Sequence, residues 1–371
     1  MSARRFTINM QRNRVLVVGL KGNMQGTEMA VNNFVHAIGG RIKFDYLMHE
    51  TPAFDGYRLP GNRIFTIPRK SREPLAYRRE LIRLFERHAG EWSGVWLNTG
   101  NLANIDSLIM AERYGIPQRI LHAHSDTWLG GTRQVAMTKI HQQRALALST
   151  DRWACSEAAG KLFFGTLPFT IVVDAIPLKK YAFSSQGRKR IRDEYNLGDR
   201  FVVGSVGALI NCKNHAFIVR LLPKISELIP SACAILVGEG PGRDGLVTLA
   251  KKLGVSDRLL LVGNQRDVPA YLSAMDVFVF PSVHEGLGLA QVEAQVNGLP
   301  VITSSACTHE VAITDAIRFL DLDDEGAWID ALCSARRSCV SLGDGAKRFD
   351  LASEGETLVN LFSPGMKSES D

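Results

Sequence analysis

Cysteine is scarce in this 371-residue chain: six thiols, at 155, 212, 233, 307, 333 and 339, with no CxxC pair and no histidine spacing that would build a zinc site. Free thiols in a reducing compartment are therefore expected rather than a disulfide framework. Long apolar runs are missing too. The longest, around Phe201–Ile210, is interrupted by Gly and Ser, and crossing a bilayer takes roughly 18 uninterrupted apolar residues. The basic segment Met1–Arg14 is not followed by an apolar stretch with a small-residue cleavage site, so no secretory leader is expected and the chain is read as cytoplasmic. Aromatics make up 8% of the residues, and the 33 glycines follow no period. Collagenous, low-complexity and disordered classes are excluded, as is a solenoid repeat.

What is present is an enzyme-sized composition. With 45% hydrophobic and 22% charged residues, the chain can bury a large core, and 371 residues favour two domains over one. The net charge of +6 is unevenly placed: residues 1–180 carry 25 Lys and Arg against 14 Asp and Glu, while residues 181–371 carry 19 against 24. A basic front half suits nucleic acid, an anionic membrane surface or a phosphorylated substrate. No nucleic-acid motif or aromatic stacking platform supports the first of these.

The run Arg14-Val-Leu-Val-Val-Gly19 reads as a strand buried on both faces. A glycine-bearing loop, Gly22–Gly26, and a helical stretch, Thr27–Ile38, follow it. Further strands are expected at Ile42–Met48, Gly94–Asn98 and Arg119–His124. After a polar, basic linker near 175–195 the pattern restarts, with strands at Phe201–Gly207, Ala234–Gly238, Leu259–Gly263, Val277–Phe280 and Pro300–Thr303. Helical segments lie between them, at Ala216–Leu228, Asp244–Leu253, Val268–Met275 and Leu289–Val296. This alternation predicts two doubly wound α/β halves, with ligands bound beyond the carboxyl ends of the strands in a cleft between them.

The most informative stretch is Pro281-Ser-Val-His-Glu285-Gly-Leu-Gly-Leu-Ala-Gln-Val-Glu293-Ala, closed by Gly298-Leu-Pro300. A strand ends at Pro281, a glycine loop follows, and a helix begins near Leu289. Backbone amides of Gly286, Leu287, Gly288 and Leu289 at that helix start suit an anion such as a diphosphate. Glu285 and Glu293 flank the site, and a carboxylate accepts hydrogen bonds from paired hydroxyls. Either carboxylate alone would be read as an ordinary helix residue or a favourable first-turn charge.

Pro-Ser-x-x-Glu-Gly-x-Gly-x-x-x-x-Glu-Ala-x-x-x-Gly-x-Pro, with seven residues between Glu285 and Glu293, resembles the signature of retaining glycosyltransferases of family 4, which have the GT-B fold. Val206-Gly-Ala-Leu-Ile-Asn-Cys-Lys213-Asn-His215 resembles that family's donor-phosphate loop, and Leu236–Pro241 and Val262–Val268 resemble its nucleotide segments. Upstream, Gly26-Thr-Glu28 with Asn33, Leu121-His-Ala-His124-Ser and Cys155–Gly160 resemble acceptor-domain motifs of the branch that builds capsular and exopolysaccharides. The resemblance implies two Rossmann-like domains facing a cleft: 1–180 for the acceptor and 181–345 for the nucleotide-sugar donor, with 346–371 returning to the first.

It also implies roles. Lys213 would meet the donor diphosphate, Glu293 the ribose and Glu285 the transferred sugar, while the amides from Gly286 to Leu289 hold the sugar and distal phosphate. The backbone at Arg266 would read the base, uracil being expected. Gly26 would approach the diphosphate from the other domain, and His124 would face the sugar; of the pair His122 and His124, one suits a core histidine. Catalytic weight thus falls on His124, Lys213 and Glu285. The implied reaction moves a hexose from a UDP-sugar to a saccharide, plausibly polyprenyl-diphosphate-linked, with retention by front-face attack and no enzyme nucleophile. No cofactor is expected.

Three departures stand beside these matches. Ala208 occupies the place of the usual phosphate-loop Arg, Gln25-Gly26 replaces a double glycine, and Asp174-Ala-Ile-Pro177 replaces Asn-Gly-Ile-Asp. The first keeps open a nucleotide-sugar-binding protein without turnover; a nucleotide-sugar 2-epimerase shares the fold. Asp321-Leu-Asp323-Asp324 has a DxD pattern but reads as a helix N-cap cluster, so no metal is expected. Val237–Gly242 lacks the spacing of a dinucleotide fingerprint. Last, Arg69–Arg87 places Leu75, Leu81, Ile82 and Phe85 near one helix face and Arg78, Arg79, Arg83 and Arg87 mostly elsewhere, which suits peripheral contact with an anionic membrane on the inner face of the cell.

Overall fold

The computed structural model describes residues 13–22, 26–52, 55–337 and 342–362. Seven of its strands make one sheet: β1 (Arg14–Val18), β2 (Lys43–Met48), β3 (Arg63–Thr66), β4 (Gly94–Thr99), β5 (Gln118–Ala123), β6 (Asp151–Ala154) and β7 (Thr170–Ile171). Six make a second: β8 (Val202–Val206), β9 (Cys233–Val237), β10 (Leu259–Gly263), β11 (Val277–Phe280), β12 (Val301–Ser304) and β13 (Ile317–Leu320). The orders are β3-β2-β1-β4-β5-β6-β7 and β10-β9-β8-β11-β12-β13, and every pairing within them is parallel. Each sheet is doubly wound from its centre, which is why β1 and β11 are nearly pure aliphatic and aromatic runs and β8 is buried along most of its length.

The chain divides into two units, Met1–Val173 with Ala352–Asp371, and Asp174–Leu351. In the first, the helix Leu351–Phe362 brings Phe362 against Phe44, Trp96 and Trp153, with ring centroids 5.7, 5.1 and 5.1 Å apart. Gln118 Nε2 donates to the Leu361 carbonyl at 2.6 Å and anchors the same helix. In the second, the core is mostly aliphatic, with Val203, Phe217, Leu221, Ile225, Leu236, Val279 and Trp328 buried together.

Strands β3, β6, β7 and β13 have no counterpart in the expected set. They lie toward the sheet margins, are two to four residues long and are only partly buried, so no continuous apolar run marks them. The expected linker near 175–195 is corrected in part, because Ser185–Glu194 is a helix capped by the Ser184 hydroxyl. Its basic residues are not a solvated spacer. Arg188 Nη1 donates to the carbonyls of Ser273, Ala274 and Met275, and Arg188 and Arg192 both pair with Asp276 at 2.7 Å. The basic helix is Pro74–His88, and its buried residues are Tyr77, Leu81, Leu84 and Phe85. Leu75 does not join them; it is 83% exposed.

Candidate functional site

Between β8 and the helix His215–Leu228 the chain makes one 3-10 turn, Asn211–Lys213. Asn214 then takes a left-handed conformation, φ 51°, which asparagine tolerates better than most residues. This turn carries Lys213 to the carboxyl end of the sheet. Beside it, β11 ends at Phe280 and the chain crosses to the helix Leu289–Val296. The two connections are tied together: Val283 N and Ser282 Oγ both donate to the Cys212 carbonyl at 2.8 Å. The result places Lys213 Nζ in an ion pair with Glu285 Oε2 and 4.9 Å above the Phe280 ring. Both charged side chains are largely shielded, 19% and 15% exposed.

Gly288 stands where the loop enters the helix, at φ +71°. A side chain there would be strained by that dihedral and would collide with the Gln291 amide. Sequence reasoning gives Gln291 no role, yet it is fully buried and neither of its amide atoms has a hydrogen-bond partner. Leaving such a group unpaired costs about 1–3 kcal/mol. Two glutamines one turn apart, Gln291 and Gln295, in a mostly apolar helix are the signal that could have found it.

Glu293 lies on the same helix, buried, and burial pushes its carboxyl up to about 7. A hydrogen bond with Tyr181 and the charge of Lys180 act in the opposite direction. His215, the first residue of the neighbouring helix, is pushed down to about 4, first by burial and then by the Lys213 charge. Arg266 is exposed after β10. The Val237–Gly242 loop lies over residues 207–209: a Cβ at Gly238, φ +141°, would run into the Gly207 carbonyl, and Leu209 N donates to the Glu239 carbonyl at 3.0 Å. Ala208 lies within this seam. Asp324 caps the helix Glu325–Ser334 through Ala327 N at 3.0 Å, so the DxD run is occupied with local structure.

In the first unit, Gly26 opens the helix Gly26–Ile38 and is exposed, with open space for 4 Å around the point where a Cβ would stand. Residues 23–25 of the preceding loop, including Gln25, lie outside the described residues. Glu28 Oε1 accepts from Lys21 N at 2.8 Å and closes the end of β1 over the helix start. His122 and His124 separate into two environments. His122 is fully buried, its ring stacked on Trp96 and its Nδ1 accepting from the Trp96 indole at 3.2 Å. Burial, then the charge of His124, holds it well below the usual histidine range. His124 follows β5 and its Nε2 meets Asn98 Oδ1 at 2.9 Å, so it is the one of the pair at a strand's carboxyl end.

The structure thus brings Lys213, Glu285, Gly286, Leu287, Gly288, Leu289 and Glu293 to one side of the second sheet. A cation, a glycine loop at a helix start and two carboxylates fit a ligand that carries phosphate and hydroxyl groups together. Comparison with known proteins narrows the family. Residues 187–331 match the model of glycosyl transferases group 1. The matched segment contains every one of those site residues.

Among curated relatives, EpsF of Bacillus subtilis (strain 168), named as a glycosyltransferase, is 28% identical over 317 residues, covering 82% of each chain. An Escherichia coli enzyme, UDP-Gal:alpha-D-GlcNAc-diphosphoundecaprenol alpha-1,3-galactosyltransferase, is 31% identical over 180 residues, 46% of each chain. Among solved structures, Anabaena Alr3699/HepE in complex with UDP and glucose superposes with a TM-score of 0.73 at 18% identity, covering 95% of this chain and 99% of that one. WaaG, a glycosyltransferase involved in lipopolysaccharide biosynthesis, gives 0.64 at 15% identity, covering 95% and 100%. Residues 187–331 are thus similar to glycosyl transferases group 1, and the fold of the chain is GT-B.

Proposed function

We propose that the chain is a retaining hexosyltransferase of family 4 that moves a sugar from a UDP-linked donor to a saccharide acceptor in exopolysaccharide or capsule synthesis. The observation that carries this is the Lys213–Glu285 pair beside the loop Glu285–Gly288. Without ligand the two charges neutralise each other. A bound diphosphate would take Lys213 as its counter-charge and leave Glu285 to accept hydrogen bonds from the sugar hydroxyls. Lys213 then faces the oxygens where charge builds up as the sugar–phosphate bond breaks, the position at which a fixed cation speeds transfer most. By the family resemblance, His124 is assigned to the sugar, Gly26 to the diphosphate and the backbone near Arg266 to the base. The complex of HepE with UDP and glucose and the UDP-Gal donor of the Escherichia coli relative support a UDP-sugar.

The acceptor follows from weaker signals that agree. The Escherichia coli relative acts on a diphosphoundecaprenol-linked sugar, and the helix Pro74–His88 turns Arg78, Arg79, Arg83, Arg87 and Leu75 outward. That face suits anionic lipid, each basic residue contributing about 1 kcal/mol near the surface. No helix among the described residues is long and apolar enough to cross a membrane, so the contact is peripheral. Vesicles containing anionic lipid should bind the protein and release it with added salt; equal binding to neutral vesicles would remove this part of the reading.

Ala208 favours one second reading, a nucleotide-sugar-binding protein without turnover. A screen of UDP-sugars separates the two. Thermal protection with UDP release supports the transferase, protection with no release supports the binding protein, and no protection by any UDP-sugar overturns both. Transfer is expected to proceed unchanged in EDTA, since Lys213 and backbone amides supply the charge stabilisation.

A further inference from the structure

Two glutamines lie one turn apart in the helix Leu289–Val296, both fully buried, and the fold uses their side chains differently. Gln295 is bonded on both sides: its Nε2 donates to the carbonyls of Gln291 and Val311 at 3.1 and 2.8 Å, and its Oε1 accepts from the amides of Ile313 and Thr314 at 3.0 and 3.1 Å. It ties the helix to the chain around the turn His309–Val311. The Gln291 side chain makes no such tie, since neither Nε2 nor Oε1 has a hydrogen-bond partner. The buried Cys307 thiol also feels this amide, and a thiol hydrogen-bonds too weakly to satisfy it.

The glycine above the unused amide shows what it faces. Around the point where a Gly288 Cβ would stand, Gln291 Nε2 lies at 2.5 Å, Glu285 Cγ at 3.0 Å and Phe280 Cε1 at 3.3 Å. Nε2 is thus within side-chain reach of the carboxyl group that Glu285 Cγ carries. That carboxyl group is engaged elsewhere: Oε2 holds Lys213 Nζ, with Ser282 Oγ 3.4 Å away. With no exposed surface, Gln291 acts on a ligand only through a neighbour. Glu285 is the neighbour that carries charge.

We propose that Gln291 is a positioning residue for Glu285: when a diphosphate takes Lys213, Gln291 Nε2 donates to the Glu285 carboxylate and holds it toward the sugar hydroxyls. This rests on the reading of Lys213 and Glu285 as donor-site residues. A bound donor removes the cation that neutralises Glu285, and a shielded carboxylate left without a hydrogen-bond donor is costly. An amide replaces the lost contact and, being neutral, does not compete for the phosphate charge. The unpaired amide of the empty site gains its partner when the donor binds.

Nitrogen-15 NMR of the glutamine-labelled full chain follows the Gln291 side-chain amide, its signal identified by its loss in Gln291→Met and Gln291→Leu. Saturating UDP should move the amide protons downfield, and saturating UDP on Glu285→Ala should leave them in place. A signal that UDP does not move, or moves equally in Glu285→Ala, overturns the proposal. Kinetics give a second measurement. Gln291→Met keeps the length of the side chain and removes the amide, so its unfolding temperature should match or exceed the parent's. With the UDP-sugar selected by thermal protection, its kcat for transfer should fall about 10- to 100-fold, while its Kd for UDP by calorimetry stays within about twofold. A structural role alone would weaken UDP binding and lower the unfolding temperature together; that result, like an unchanged kcat, overturns the proposal. The underlying reading fails separately. If Lys213→Ala binds UDP as tightly as the parent, Lys213 is not the diphosphate residue and the proposal falls with it; if Lys213→Ala loses UDP while Gln291→Met transfers sugar at the parent rate, the donor reading stands and the role of Gln291 alone is lost.

Discussion

The two units share a winding order and use it differently at their two ends. At the amino ends of the strands each sets an aspartate between two arginines. Asp45, fully buried, takes Arg14 at 2.5 Å, Arg63 at 2.6 Å and the Trp92 indole at 2.7 Å. Asp276 takes Arg188 and Arg192 at 2.7 Å and Val202 N at 2.8 Å. At the carboxyl ends the units diverge: the first ties its groups there to neutral partners, Glu28 to the Lys21 amide and His124 to Asn98, and the second places the Lys213–Glu285 ion pair. Charge that is fully satisfied by protein at one end holds the sheet together. Charge that can exchange its partner at the other end is available to a ligand.

That contrast can be broken by experiment, and the largest effect is expected at the carboxyl end. Lys213→Ala should lower the rate of sugar transfer by about 10²–10³-fold, the usual consequence of losing one group that stabilises developing negative charge, with little change in unfolding temperature. An unchanged rate would remove Lys213 from the chemistry. At the amino ends the expectation reverses. Asp45→Ala should destabilise its unit by about 3–5 kcal/mol, because it leaves arginines facing a vacated buried site, and Asp276→Ala by less, because that aspartate is part-exposed and water can replace it. Denaturant unfolding followed separately in each unit would show this, and a cost below about 1 kcal/mol at Asp45 would mean that the pair network is worth little.

A smaller effect concerns acid. His215 in the second unit is held down to about 4 and His122 in the first lies well below the ordinary histidine range, both chiefly through burial. Unfolding lets them take up protons. Their contribution is therefore fully present above pH 6.5 and is lost as the pH falls toward 4, by up to about 3 kcal/mol for His215. Glu293 has the opposite sign: its carboxyl, raised to about 7, adds stability that is present below its unfolded value and is lost as pH rises through 7. With the opposing carboxyl removed by Glu293→Gln, urea midpoints at pH 4.5, 6 and 8 should fall on the acid side, and adding His215→Gln should flatten that fall. A midpoint unchanged between pH 8 and pH 4.5 in that background would contradict the burial of both histidines.

Much of the fold is legible in the sequence. Runs of apolar residues announce themselves, in the buried centre and also in β10, a partly buried edge strand, so β1, β2, β4, β5 and β8 to β12 fall within a residue or two of expectation. The marginal strands are not legible, because a partly exposed four-residue segment such as Arg63–Thr66 has no distinctive pattern. The basic stretch Ser184–Arg192 reads as linker because its charge looks solvated. In the fold that charge is used internally, on carbonyls 273–275 and Asp276. Leu75 departs the other way: helical spacing alone does not say that the apolar face is centred on Leu81, Leu84 and Phe85 and leaves it outside.

For the site, local spacing determined which residues share one loop and one helix start: Glu285, the amides of Gly286 to Leu289, and Glu293. Only the tertiary structure decided their partners. Lys213 comes to Glu285 across 72 positions of chain, Asn297 beyond Glu293 is tied to the Tyr181 carbonyl, and Gln291 lies buried and unpaired beneath Gly288. The physical reason is range: helix and turn preferences act over a few residues, whereas desolvation and charge pairing depend on which distant segments the packed sheet brings within a few ångströms.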